Sequence, residues 1–219
     1  MNTHPLRFRP RAFIDAETTG LEDDVDELIS LAIIIEDATT RSVILSREWL
    51  FKPTRPELLD RIGEPTVPGA RSARAVNGYD EARWAGAPAF ASAAEEVAGL
   101  LEGCVWVGQN PAFDRGFIRS ELRRAGRPEL ADRLPRATVD LAALSYHYLA
   151  PLGLRSLSLD AVREWFRVTV PRPHAALGDA RDTRFLYHEI TRRAWEWRAR
   201  ALFAGAVRAV RSVFRRARP

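Results

Sequence analysis

With 219 residues, of which 46% are hydrophobic and 28% charged, the chain is long enough for one domain with an extension and apolar enough to bury a core. Its one cysteine, Cys104, excludes an internal disulfide and any cysteine-based zinc site, and no apolar run approaches the ~20 residues of a membrane span. The net charge of +4 is unevenly spread: residues 192–219 hold nine Arg and one Glu, net +8, which leaves −4 on the remainder.

Apart from Lys52, the Lys and Arg positions are all Arg. Arg suits bidentate phosphate contacts, although an Arg- and Ala-rich chain equally reflects genomic base composition. The first residues lack the apolar core of a signal peptide, so a cytoplasmic location is expected.

Residues 8–17 are expected to form the first strand, with Gly20 ending the segment. Side chains two apart on a strand share a face, so Asp15 and Glu17 point the same way from an otherwise apolar stretch. Two adjacent carboxylates repel unless something positive lies between them. With no Cys or His beside them, they suit Mg²⁺ or Mn²⁺ better than Zn²⁺. Taken alone, the pair reads equally as an acidic strand end meeting water. Residues 27–35 are β-branched and apolar and read as a buried strand, and residues 42–51 as a third. The short polar connection at 36–41 predicts antiparallel hairpins. The acidic stretch 22–27 shows no alternation and reads as a solvated turn.

Residues 52–88, rich in Pro, Gly and Arg, predict an irregular connection with a short helix or two. A helix is expected over 88–103, with Phe90, Ala94, Val97, Leu100 and Leu101 on one side. A short strand follows at 104–108, in which Cys104 serves as a small buried hydrophobe. Pro111 is placed to open the next helix, running to about Arg124 and stopping near Gly126 and Pro128. Asp114 falls in its first turn, where a carboxylate complements the helix dipole. Phe113 and Phe117, four apart, most simply pack inward. Residues 137–141 read as a strand, 141–149 and 156–166 as helices, and 176–190 as a further helix. Leu157, Leu159, Val162, Trp165 and Phe166 form the apolar set of the 156–166 helix.

His174 and Asp179 would lie about 140° apart on one ideal helix. They can serve one site only if His174 sits on a loop ahead of the helix, as Pro171 and Pro173 suggest; a loop His beside Pro is also an ordinary surface residue. Alternating strands and helices give an α/β domain. Beyond it, Trp195, Ala199, Leu202, Phe203, Ala206, Val210, Val213 and Phe214 fall on one helical arc. Arg198, Arg200, Arg208, Arg211, Arg215 and Arg216 fall on the other. This basic amphipathic helix packs on the domain, or contacts nucleic acid, a membrane surface or a partner.

Three spellings occur in order: FIDAETTGL at 13–21, NPAFD at 110–114 and HAALGDA at 174–180. Together they resemble the three motifs of the DEDD superfamily of 3′–5′ exonucleases. The branch is the one with a histidine five residues before the last aspartate, which includes proofreading subunits of bacterial replicative polymerases, ribonuclease T and oligoribonuclease. The resemblance covers about residues 8–190. It implies a ribonuclease H-like exonuclease fold over residues 1–191, a mixed central β-sheet flanked by helices, followed by the Arg-rich tail at 192–219. It also implies hydrolysis of single-stranded nucleic acid from the 3′ end, DNA slightly ahead of RNA, with release of nucleoside 5′-monophosphates.

By the same resemblance, Asp15, Glu17 and Asp179 would hold one divalent ion, Mg²⁺ or Mn²⁺. Asp15 would bridge to a second, supported by Asp114. Two such ions about 4 Å apart stabilise both the attacking and the leaving oxygens of a phosphodiester. His174 would be the general base, a role its ordinary pKa near 6.5 suits. Thr18, Thr19, Leu21, Asn110 and Phe113 would contact the terminal nucleotide; strand-ending threonines and a core Phe113 are the structural alternatives. Gln109 stands where the family commonly has His, and since it is not an acidic ligand, activity is expected to survive. Asp140 is expected to order its own turn, and Asp182 to pair with a nearby Arg on the helix surface. The alternative to an independent enzyme is a 3′-end-binding or proofreading module within a polymerase complex. Expected partners are single-stranded 3′ ends and a polymerase or another replication or repair subunit. A homodimer is left open, and a membrane partner is not expected.

Overall fold

The computed structural model describes residues 5–62, 71–169, 175–194 and 196. Its centre follows from one sequence run. β2 (Leu28–Glu36) is aliphatic and β-branched and is buried at every position. Such a strand needs cover on both faces. β1 (Arg11–Thr18) pairs with it antiparallel, and β3 (Val43–Leu50) completes the expected meander. On the far side of β1, β4 (Val105–Gly108) and β5 (Thr138–Asp140) run parallel to it, giving the order β3-β2-β1-β4-β5.

The helices are α1 (Ala73–Asn77), α2 (Glu81–Trp84), α3 (Ala94–Leu101), α4 (Pro111–Arg124), α5 (Pro128–Arg133), α6 (Leu141–Tyr148), α7 (Leu159–Phe166) and α8 over 176–194. Alternation along β1 and β2 divides the core between two faces. Ala12, Ile14, Leu31, Ile33 and Ile35 meet Val97 and Leu101 of α3 and Phe117, Ile118 and Leu122 of α4. Phe13, Ala32 and Ile34, with Val107 of β4, meet Ala176 and Ala180 of α8. A third cluster, built on Leu141, Leu149, Val162, Leu186 and Ile190, ties α6, α7 and α8 together.

Several expectations shift. The first strand begins at Arg11 because Pro10 offers no N–H to a ladder; Leu6–Phe8 forms a 3₁₀ turn instead. The helix expected over 88–103 divides into a 3₁₀ turn at Phe90–Ser92 and α3. The helix opened by Pro111 ends at Arg124, ahead of Gly126 and Pro128 as expected, and Pro128 also opens α5 as its first residue. The acidic stretch 22–27 is not a solvated turn throughout, since Asp26 and Glu27 are buried. Asp26 accepts from Glu22 N–H at 3.0 Å and Thr19 Oγ1 at 3.3 Å, and Arg61 donates to it at 2.9 Å. Glu27 accepts from the backbone N–H of Thr54 (2.7 Å) and Arg55 (3.1 Å). The 52–62 segment thus folds over the loop and supplies the donors that make burial tolerable.

Among the described residues, no helix is long and apolar enough to cross a membrane. Cys104 is buried, as expected. His174 and the tail beyond residue 196 lie outside the described residues, as does Trp195, while α8 runs unbroken through 194.

Candidate active site

Phe13 faces α8, so Asp15 and Glu17, two and four residues further along β1, face the same side. Asp179 meets them from the first turn of α8, where its N–H donates to Ala175 O at 3.0 Å. One oxygen from each of Asp15, Glu17 and Asp179 lies within 4.8 Å of the others. Asp114, in the first turn of α4, is buried against the same cluster, with the backbone N–H of Ala16 on β1 directed at its carboxylate. The four groups converge at the carboxyl ends of β1 and β4, the usual place for a site in an α/β sheet.

The turn into α4 shows how Asp114 is held. A Cβ on Gly108 would sit 3.2 Å from Pro111 Cβ and 3.4 Å from Ile14 O, so the chain passes closely here. Asn110 adopts a left-handed conformation (φ 58°, ψ 59°), which Asn tolerates better than most residues. Asp140 Oδ1 accepts from Asn110 N–H at 3.1 Å and from Ala142 N–H at 2.8 Å. One carboxylate therefore caps α6, as expected, and also fixes the turn that launches α4. Gln109 Nε2 donates to Leu157 O at 2.6 Å, joining this turn to the approach of α7.

Among the described residues, the site is short of positive charge. Burial, reinforced by Asp179, Asp114 and Glu48, pushes Glu17 up to about 8. Burial also takes Asp114 up to about 8, against the pull of backbone N–H groups. Asp15 is raised well above the ordinary carboxylate range by burial and then by Asp114, Asp179 and Glu17; among the described residues Arg163 opposes this. Arg163, on α7, is 3% exposed. It donates to Asp179 at 2.6 Å, Asp182 at 2.9 Å and Asp160 at 3.0 Å. An all-carboxylate donor set this close together, with charge to spare, fits a hard divalent cation.

The remaining sequence candidates divide. Thr18 and Thr19 are buried. Thr18 Oγ1 donates to Gly20 O at 2.5 Å, and Thr19 Oγ1 accepts from Glu27 N–H at 2.9 Å. Both hydroxyls thus close the turn after β1. Leu21, just beyond, is 79% exposed, and Asn110 is exposed. Phe113 is half-buried, tilted against Phe117 at 4.8 Å between ring centroids and packed against the α4-side core. Asp182 pairs with an Arg, though with a buried one on α7 and not with one on the helix surface. That Arg, Arg163, was not singled out in the sequence. Its signal is positional: residues 159, 162, 163 and 166 make an i, i+3, i+4, i+7 stripe, and Arg163 is the charged member. Asn77, buried and donating to Thr18 O at 2.9 Å, was also missed and had no local signal.

The mixed five-stranded sheet, flanked by helices, is that of the ribonuclease H-like exonuclease fold. The chain belongs to the Exonuclease family, whose model matches residues 12–187, and it carries a 3′–5′ exonuclease domain. It is 30% identical over 171 residues to a DNA polymerase III PolC-type of Thermotoga petrophila, an alignment covering 78% of this chain and 11% of the relative. It is 34% identical over 101 residues to the 3′-5′ exonuclease DinG of Bacillus subtilis, covering 46% of this chain and 10% of that protein. The chain therefore spans only about a tenth of the length of these relatives. Among solved structures, Escherichia coli Exonuclease I in complex with a dT13 oligonucleotide shares the fold with a TM-score of 0.67 at 18% identity, over 90% of this chain and 46% of that one.

Proposed function

We propose that Asp15, Glu17, Asp114 and Asp179 hold two divalent ions, Mg²⁺ or Mn²⁺, and that the domain releases nucleoside 5′-monophosphates from the 3′ ends of single-stranded nucleic acid. The observation that carries this reading is the approach of Asp15, Glu17 and Asp179 within 4.8 Å, with buried Asp114 beside them. Bound there, divalent ions supply the positive charge that stabilises a phosphodiester's transition state. The chain's own part is positioning: two carboxylates on a strand and two in first helical turns fix where a scissile phosphate can sit. Leu21 offers exposed apolar surface for the terminal base, and exposed Asn110 a polar contact. His174, in the position of the histidine branch, takes the proton of the attacking water. DNA is placed ahead of RNA because the polymerase relative and the dT13 complex of Exonuclease I concern DNA. The same polymerase likeness favours a second reading, a domain that works as part of a larger polymerase assembly.

The test is digestion of 5′-labelled single-stranded DNA and RNA of one sequence with Mg²⁺, Mn²⁺ or EDTA, beside Asp15→Ala. Stepwise shortening that needs metal and disappears in the variant supports the enzyme, and the faster substrate names the preference. Retained 3′-end binding with no shortening under any metal would replace it by the binding module.

A further inference from the structure

We infer that Arg163 is the positioning residue for Asp179, setting the angle at which this carboxylate meets the divalent ions and hence the affinity of the site for them. The inference rests on the metal-holding role proposed above for Asp179. Asp179 and Asp182 lie three apart on α8 and so share one face. Arg163 reaches both from α7: Nη2 lies 2.6 Å from Asp179 Oδ1, Nε is 2.9 Å and Nη2 2.8 Å from Asp182 Oδ2, and Nη1 is 3.0 Å from Asp160 Oδ1. Those contacts fix the plane of a rigid fork from three sides. An aspartate's terminal torsion is broad, so holding one oxygen of Asp179 sets where its other oxygen points.

A plain staple between α7 and α8 would not need this arrangement. The position lies on the buried stripe of α7, where an aliphatic residue would pack with Val162 and avoid the cost of burying a guanidinium. The shortest contact is to the one aspartate that belongs to the acidic cluster, not to Asp182 or Asp160. Charge argues the other way, since a cation near the site repels divalent ions. That repulsion is blunted because three carboxylates already surround the guanidinium, so orientation is the larger effect.

The experiment is calorimetric titration of the full chain with Mn²⁺, without nucleic acid, for the wild type, Arg163→Met, Arg163→Lys and Asp182→Asn. Alongside, the Mn²⁺ dependence of hydrolysis and melting in EDTA are measured. Arg163→Met is expected to weaken Mn²⁺ binding about 10- to 100-fold, as loss of an outer partner of a metal ligand does. Its turnover at saturating Mn²⁺ should fall much less. Arg163→Lys should recover part of the loss, and Asp182→Asn, which slackens only the far anchor, should show a smaller one. If Arg163→Met does not fold, the other two variants carry the test. Wild-type Mn²⁺ affinity in folded variants with lowered melting would make Arg163 a staple only, and tighter binding would make it a competitor of the ions; either overturns the inference. A wild-type chain that takes up no Mn²⁺ would remove the metal reading beneath it, a different failure from variants that bind as the wild type does.

Discussion

Asp15 sits where folding and function disagree. Its charge is opposed by burial and by three other carboxylates, with Arg163 in its favour among the described residues. Asp15→Asn keeps the size of the side chain and removes the charge. In EDTA at pH 8 this variant is expected to melt above the wild type. Its melting should rise less with Mn²⁺, and its turnover should fall about 10³-fold or more, the scale on which several kcal/mol of charge stabilisation act. Thermal scans with and without Mn²⁺, beside the digestion assay, check all three; a lower melting temperature in EDTA would mean Asp15 is held by contacts that outweigh the repulsion. The pair Asp15 and Glu17 was legible because a period of two puts them on one face of an apolar strand. Asp26 was not. Acidic runs usually face water, and its partner Arg61 lies 35 residues away, a pairing no local pattern contains. Arg163 was hidden because only the apolar members of the α7 stripe were read.

At the scale of elements, the site depends on turns that hold strand ends to helix starts. Asp140 bonds both Ala142 N–H and Asn110 N–H, so Asp140→Ala loses two things at once. The uncapped α6 should cost about 1 kcal/mol. The loosened turn should let Asp114 drift and lower kcat between about 10- and 100-fold, since a displacement near 1 Å has that effect. Asp140→Asn keeps a side-chain oxygen acceptor and should restore most of both; denaturant unfolding and steady-state kinetics separate the two losses. After β1, a Cβ on Gly20 would lie 2.3–2.5 Å from the carboxylate of Asp26. Gly20→Ala should therefore cost about 1–3 kcal/mol through overpacking, readable as a lower denaturant midpoint, whereas an unchanged midpoint would show that the 22–27 loop can move aside. Strands β1 to β3 were legible because an aliphatic run needs burial whatever surrounds it. The break before α3 was not. Phe90 meets Phe51 edge-on at 5.1 Å between ring centroids, a tertiary contact that helical periodicity does not encode.

Across the whole molecule, the two ends of the sheet treat charge in opposite ways. At the Arg11–Glu36 end, buried Glu36 is bonded by Arg11 at 2.8 Å, Arg184 at 2.7 Å and His188 at 2.8 Å, which ties β1, β2 and α8 together. Burial alone would raise Glu36, but hydrogen bonds from His188 and Arg11 bring it below the ordinary carboxylate range. His188 is itself lowered, by burial more than Glu36 can offset. Both groups contribute stability that is lost as pH falls: His188 below its unfolded value of about 6.5, Glu36 below about 4.3. At the other end, Glu17 and Asp114 stand at about 8. Their protons are bound in the folded state and gone from the unfolded chain above about pH 5. Stability from them is therefore full at low pH and lost as pH rises through 8, by up to about 1.4 kcal/mol per pH unit for each proton retained. Between pH 7 and 8.5 the acidic cluster dominates, because Glu36 and His188 have finished titrating in the folded state. The metal-free protein should melt at a progressively lower temperature across that window. With saturating Mg²⁺ or Mn²⁺, which takes the place of the protons, the decline should flatten or reverse. Melting curves in EDTA and in Mn²⁺ at matched ionic strength decide it. Parallel pH profiles would mean that the ions do not bind among these carboxylates, and would remove the metal reading together with the chemistry built on it.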